Sequence, residues 1–448
     1  MMTDSRSVEQ AHVHQSKWVR FLPIVFFFFY LNFTVFLFAF GPWPYPVTDG
    51  TMLYTFLFFA HLALLIGYLS AAFRKPSGYS GLWKTKRLVV FVLIINLVML
   101  VPTAVFRTGG LLPDISSAIE SPGQAYSLLG FNQYKGVPVV EYLRMVFAPF
   151  IFMLFPLTVF YWARLKPVVR TLAAFCVLGM VAIYIAMGTN KGFVDLVILT
   201  PWLLLAGHLS GVSRLRWSRR FIIVTGGILL AVLALQFFIA TQTTRIGSGA
   251  SIGHFYPLGV YVDRDNFIVR NLPPKVQVGV WSLTSYITQG YYGLHLSLRE
   301  PFIPMFGVGN SMFLFRQAAR ITDIDEIMDL SYPIRIRKYG WNPYVQWSSI
   351  YPWIASDVSF PGTILVVFLI GRLFALSWLD TLRGKNPFAV AMFTQLLIML
   401  YYFSANNQCV QNGEGLFSFW GILLLWLYTR RRPVRKHFSN DVSHRLFS

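Results

Sequence analysis

The chain has 448 residues, of which 55% are hydrophobic, 17% aromatic and only 12% charged. A soluble chain carries about 25% charge, so this composition, with a mean hydropathy of +0.55, excludes an ordinary soluble protein, a disordered chain and a disulfide scaffold. A formal charge of +20 would point to nucleic acid in a soluble protein, but here the placement of the charges decides its meaning.

A hydrocarbon core about 30 Å thick takes roughly 20 apolar residues as a helix. Such stretches fall at 21–40, 51–73, 88–106, 142–162, 171–188, 193–211, 221–240, 357–378, 388–404 and 416–428. The first is too long for a cleaved signal peptide and is followed by Gly41-Pro42-Trp43-Pro44 instead of a small-residue cleavage site. The pattern predicts an all-α polytopic membrane protein, one integral membrane domain over 1–448, with about ten to twelve transmembrane helices. Basic clusters such as Lys84-Thr85-Lys86-Arg87 and Arg430-Arg431-Arg432 sit in alternate connecting segments and in both tails. The whole +20 falls on that side, and cations and anions balance on the other. Positive charge marks the cytoplasmic side, so both termini are expected in the cytoplasm. The charge is then a topology signal, and no nucleic-acid partner is expected. Cys176 and Cys409 are not expected to pair. No internal repeat of the inverted-transporter kind is evident.

Two segments on the other side are long. The larger, 241–356, is rich in aromatic residues and mixed charge, which predicts short helices lying on or dipping into the outer face. The smaller, 107–141, adds Gly and Pro turns. Chemistry is therefore expected to face outward.

The hairpin Gly188-Thr189-Asn190-Lys191-Gly192 places one cation in a tight turn at that face. Lys191 and Asp195, four apart, either form a structural pair or leave Lys191 as a fixed cation for an anionic lipid head group. Arg245, just beyond the seventh span, is either a snorkelling anchor or a diphosphate ligand. Arg335-Ile336-Arg337-Lys338 precedes Trp341-Asn342-Pro343-Tyr344. Guanidinium forks match phosphate oxygens and aromatic rings stack on sugars, whereas a basic strip balancing nearby acids would carry the same pattern. Asp357 and Glu414 each begin a span, as a helix cap or as a proton acceptor. His295 is a further acid/base candidate. No metal-binding spacing and no nucleotide loop is present, so a transfer reaction would run on a pre-activated donor.

These features resemble the O-antigen and oligosaccharide repeat-unit polymerases of the Wzy type. The resemblance rests on the Gly188–Gly192 turn, on Asn342-Pro343-Tyr344, and on Asp357-Val358-Ser359-Phe360-Pro361-Gly362. Those families have Asp-Phe-Gly-x-x-Gly at the last position, so Val358 and Ser359 depart from the pattern. The resemblance implies a GT-C-like fold in the bacterial inner membrane with a large periplasmic loop. It implies transfer of a growing glycan from undecaprenyl diphosphate to the non-reducing end of an incoming lipid-linked repeat unit. In that reading Lys191, Arg245, Arg335 and Arg337 bind diphosphate. Asp357 acts as base or orients sugar, with His295 and Glu414 behind it, and Trp341, Asn342 and Tyr344 contact sugar. No cofactor or metal is expected, because side-chain cations can take the leaving-group charge. Lipid-linked oligosaccharide, membrane lipid, a chain-length regulator and a flippase are the expected partners. The alternatives are an O-antigen ligase using the same donor, and a flippase or transporter.

Overall fold

The computed structural model describes residues 17–121, 125, 138–213, 225–227, 229, 232–233, 235–241, 254–255 and 259–431. Among the described residues the chain runs through α1 (Leu22–Phe40), α2 (Thr51–Ala72), α3 (Thr85–Thr108), α4 (Ile115–Glu120), α5 (Pro138–Tyr161), α6 (Pro167–Ala186) and α7 (Lys191–Leu209). The seventh sequence-predicted span is described only in part, and its described residues 225–227, 229, 232–233 and 235–241 are helical. Then come α8 (Pro274–Ser297), α9 (Met312–Thr322), the one-turn α10 (Tyr332–Arg335), α11 (Tyr351–Leu382), α12 (Pro387–Tyr401) and α13 (Gly413–Thr429). Two-residue strands form two antiparallel pairs, β1 (Gly78–Tyr79) with β4 (Arg430–Arg431) and β2 (His254–Phe255) with β3 (Val260–Tyr261). Among the described residues 7 helices are long and apolar enough to cross a membrane: α1, α2, α3, α5, α6, α7 and α11. The protein is an all-α polytopic membrane protein.

Apolar sequence on every side of a helix suits burial in lipid as much as in protein. Helix α1 shows both faces. Phe27, Leu31 and Phe38 are buried against the bundle, while Phe29, Phe33 and Phe40 are exposed along the opposite flank. Proline inside α3, α5, α7 and α11 is tolerated where neighbouring helices can satisfy freed backbone groups. The tightest helix pair is α2 with α11. A Cβ at Gly67 would overlap the Phe368 carbonyl, and one at Gly371 would overlap that of Leu64. Small residues let the two backbones touch where no hydrophobic force between helices is available.

One end of the bundle is tied by Asp380. It accepts from Ser77 backbone N at 2.8 Å and from Arg430 Nε at 2.7 Å. The Trp378 indole donates to the Val19 carbonyl at the same end. The opposite end carries segment 254–350, and we term it the loop end. Helix α8 lies across it. Trp43 Nε1 donates to the Trp281 carbonyl at 2.9 Å, and the Tyr291 hydroxyl meets Thr34 Oγ1 at 2.8 Å, well inside α1. At 24 residues α8 is longer than the short helices expected in this segment. Helix α12 is buried throughout Pro387–Leu400 and stops inside the bundle, where Tyr30 donates to the Tyr401 carbonyl. Irregular backbone follows from 402 to 412, covered by protein: Ser349 N donates to Ala405 O and Ile350 N to Phe403 O.

Helix α11 has 32 residues, about 48 Å at 1.5 Å per residue, against a core of about 30 Å. It begins at Tyr351, six residues before the predicted start at Asp357, and it is broken at Ser359, whose backbone adopts φ 63° and ψ 171°. That region favours glycine almost exclusively and strains a residue with a Cβ by about 1–3 kcal/mol. The departure from Gly in the Asp357–Gly362 motif therefore sits where glycine fits best. Ser359→Gly is expected to raise stability by about 1 kcal/mol after the entropy added to the unfolded chain. Thermal unfolding in detergent reads this directly, and an unchanged or lowered midpoint would contradict it.

Candidate functional site

The Gly188–Gly192 turn is shaped by two of its glycines. Gly188 has φ 61°, and a Cβ on Gly192 would overlap the Tyr184 ring. The turn therefore brings Lys191, the first residue of α7, against the neighbouring helices. Lys191 Nζ donates to Asp195 at 2.6 Å, and the Tyr402 hydroxyl donates to the other Asp195 oxygen at 3.0 Å. The ammonium also lies 5.2 Å from the Tyr402 ring centroid. Thus the i,i+4 pair expected from spacing is present, with a third partner from the irregular segment after α12.

Close by, Asn412 caps α13 by accepting from Gly415 N at 2.7 Å. The cap leaves Glu414, in the first turn, to two arginines. Arg107 at the end of α3 donates to it at 3.0 Å, and Arg144 of α5 donates through Nε and a terminal nitrogen. Arg144 is only 2% exposed and also donates to Thr103 Oγ1. A guanidinium this deep is tolerated because its hydrogen bonds and its charge are met together.

Lys191, Asp195, Arg107 and Glu414 line one cavity of about 380 Å³ between α3, α5, α6, α7, α12 and α13. Its mouth at the loop end is polar and charged, with Thr189, Gln408 and Asn412 completing it. Its inner wall is mostly apolar, built from Ile151, Leu154, Phe155, Val177 and Val181, with Asn96, Gln395 and Ser418 as polar points along it. The cavity therefore joins a mouth of paired charges to a mostly apolar shaft.

Other sequence candidates sit elsewhere. Asp357 accepts four hydrogen bonds at 2.8–2.9 Å, from Gly307 N and Gly309 N on one oxygen and from the Asn310 backbone and side chain on the other. Its lone pairs are filled by the 307–310 loop, which it pins to α11. Arg335 donates to the Pro301 carbonyl at 2.6 Å, lies 3.7 Å from Glu300 and stacks over Tyr332. Lys338 and Tyr339 donate to the same Glu300 at 2.9 and 2.8 Å. Burial would raise the Glu300 carboxyl, but the Lys338 and Tyr339 hydrogen bonds and the Lys338 and Arg335 charges outweigh it and hold it below the usual range. Arg337 is exposed. His295 is buried, and its Nε2 accepts from Arg299 at 2.8 Å. Burial and the Arg299 charge hold it below the usual histidine range. Trp341 is fully buried, donates to the Trp347 carbonyl at 3.0 Å and packs edge-on to Tyr292. Asn342 folds the next turn by accepting from Tyr344 N at 3.1 Å. Tyr344 is 50% exposed and meets Arg316. Arg245 lies outside the described residues.

Of the candidates read from sequence, Lys191 and Glu414 are thus brought to one site, and the other described candidates, Asp357, His295, Arg335, Arg337, Trp341, Asn342 and Tyr344, lie outside it. Arg107, Arg144, Asp195 and Tyr402 complete the site and carry no motif. An arginine within a predicted span was the signal for Arg144, since an intramembrane charge is retained only with a partner. Among the described residues no group of three His, Cys, Asp or Glu is placed to hold a metal ion.

Comparison of the chain with protein-family models, with curated proteins and with solved structures finds no match.

Proposed function

We propose that the chain is a membrane glycosyltransferase that polymerises lipid-linked oligosaccharide repeat units, a GT-C-like enzyme with about ten spans. The distribution of basic residues supports a bacterial inner-membrane protein with cytoplasmic termini and a periplasmic loop end. The observation that carries the reading is the cavity that sets Arg107, Lys191, Asp195 and Glu414 over a mostly apolar shaft at the end holding the loop mass. Lipid diphosphates have that same division between anionic head and hydrocarbon chain.

In the reaction the acceptor hydroxyl oxygen bonds to the anomeric carbon of the donor glycan. The bond from that carbon to diphosphate breaks, and the diphosphate leaves with the electron pair. Lys191 and Arg107 take the charge that develops on it. A diphosphate competes with Asp195 for Lys191. As Lys191 turns to the phosphate, the Asp195 carboxylate is released to take the hydroxyl proton. Leaving-group capture and base activation are then coupled through one side chain. Glu414, held by two guanidinium groups, fixes their positions.

Deletion of the gene and a gel of surface glycan test this. A polymerase predicts that the glycan ladder is lost while single repeat units remain attached to their acceptor. Loss of all attached glycan would point instead to a ligase or flippase, and repeat units accumulated on the inner leaflet to a flippase.

A further inference from the structure

The segment 301–310, between α8 and α9, carries no charged residue. Within it a tight turn is closed by Val308 N donating to the Met305 carbonyl at 3.2 Å. Both central residues of that turn have positive φ, 52° at Phe306 and 94° at Gly307. Turns of this hand favour Gly, Asn or Asp, and a bulky side chain at the first central position is strained. The turn is nevertheless held firmly on both sides. Before it, Met305 is buried with Phe315, Ile334 and Trp353, and its backbone N donates to the Ser356 carbonyl at 3.1 Å. After it, the backbone N–H groups of Gly307, Gly309 and Asn310 donate to Asp357. Phe306, between these anchors, is 89% exposed, more than any other large hydrophobic residue among the described residues. The anchored backbone therefore displays the ring and keeps it from folding back onto the protein.

We infer that Phe306 is a wedge seated among the acyl chains of the leaflet at the loop end, where it sets the height of the loop mass over the bilayer. Level and continuity carry the inference. The apolar stretch 357–378 has about the 20 residues that cross a hydrocarbon core, so Asp357 stands at the loop-end boundary of that core. Just inside it Val358, Leu365 and Leu369 of α11, seven and four residues apart and so on one helix face, are all exposed. Exposed apolar residues along one face of a span face lipid. Phe306 precedes Gly307 and Val358 follows Asp357, so each is one residue from the Gly307–Asp357 hydrogen bond and the ring stands at the rim of the lipid face. At such a boundary Trp and Tyr keep a polar atom for the head groups. Phe has none, and its ring gains only by leaving water for the hydrocarbon. That gain offsets the strained turn. Asp357, which fills its lone pairs with the backbone of this segment, is then the clamp that holds the wedge in place. The inference does not depend on what the Lys191 cavity binds.

Cys176 and Cys409, the chain's own cysteines, are both buried, so an added surface cysteine can be labelled selectively. Phe306→Cys removes a ring that touches little protein and should leave the fold intact. The full chain carrying a nitroxide at that cysteine is reconstituted in liposomes of phosphatidylethanolamine and phosphatidylglycerol and read by power saturation of its paramagnetic resonance. Molecular oxygen concentrates among acyl chains, and a nickel chelate stays in water. At Phe306 collision with oxygen is expected to exceed collision with nickel several-fold. The reverse is expected at Asp325→Cys, an exposed position in the acidic stretch Asp323-Ile324-Asp325-Glu326. Nickel collision at Phe306 equal to that at Asp325 would place the ring in water and overturn the inference. Low collision with both reagents would place it in a protein contact, such as a second copy of the chain, and would overturn it as well.

Discussion

Glu414→Ala is expected to lower stability by about 3–5 kcal/mol, the cost of leaving a buried charge without its partner. Arg144 is 2% exposed, and Glu414 is its ionic partner. Removing the carboxylate leaves that guanidinium with Thr103 alone, and Arg107 loses its partner too. Glu414→Gln should fall between, because one amide oxygen still accepts a hydrogen bond without the charge. The pair need not be worth that much as a pair. Replacing both partners, Arg144→Met with Glu414→Leu, should recover most of the loss, because no buried charge then remains. Unfolding in detergent measures all three. Equal losses in the single and double variants would show that the cost is packing and not charge.

Lys191→Met is expected to reduce chain extension by about 10²–10³-fold, the scale of removing one preorganised donor from a developing charge. The fold should survive. Asp195 keeps the Tyr402 hydroxyl, and the Lys191 side chain is 36% exposed, so the ion pair contributes modestly to stability. Lys191→Arg keeps the charge and should retain part of the activity, although a planar fork replaces the compact ammonium. The readout is the surface glycan ladder with the protein level held equal. Full-length ladders in Lys191→Met would remove the site from the reaction.

The spans were legible because hydropathy reports lipid contact directly, and α1 to α3 match the expected stretches within a few residues. The Lys191–Asp195 pair was legible because four residues bring side chains onto one helix face. Arg144 with Glu414 was not, since 270 residues separate the partners and nothing local names them. Asp357 and Glu414 look alike as acids near span starts. Their surroundings differ because one meets the folded-back 307–310 loop and the other meets two arginines. Trp341 and Tyr344, three residues apart, divide into core and surface. Gly293 of α8 leaves room for the Trp341 indole, and Tyr344 lies beyond that contact. Helix α8 escaped notice because its polar Thr284, Thr288 and Gln289 dilute its hydropathy while being buried in the bundle.

In the proposed function a lipid-linked glycan is extended at the cavity that Lys191 and Arg107 face. The most direct measurement is reconstitution of the purified chain in liposomes with an undecaprenyl-diphosphate-linked repeat unit as the sole substrate. A ladder of products spaced by one repeat unit, lost in Lys191→Met, is the predicted result. Repeat units that stay at a single length with folded protein present would contradict it.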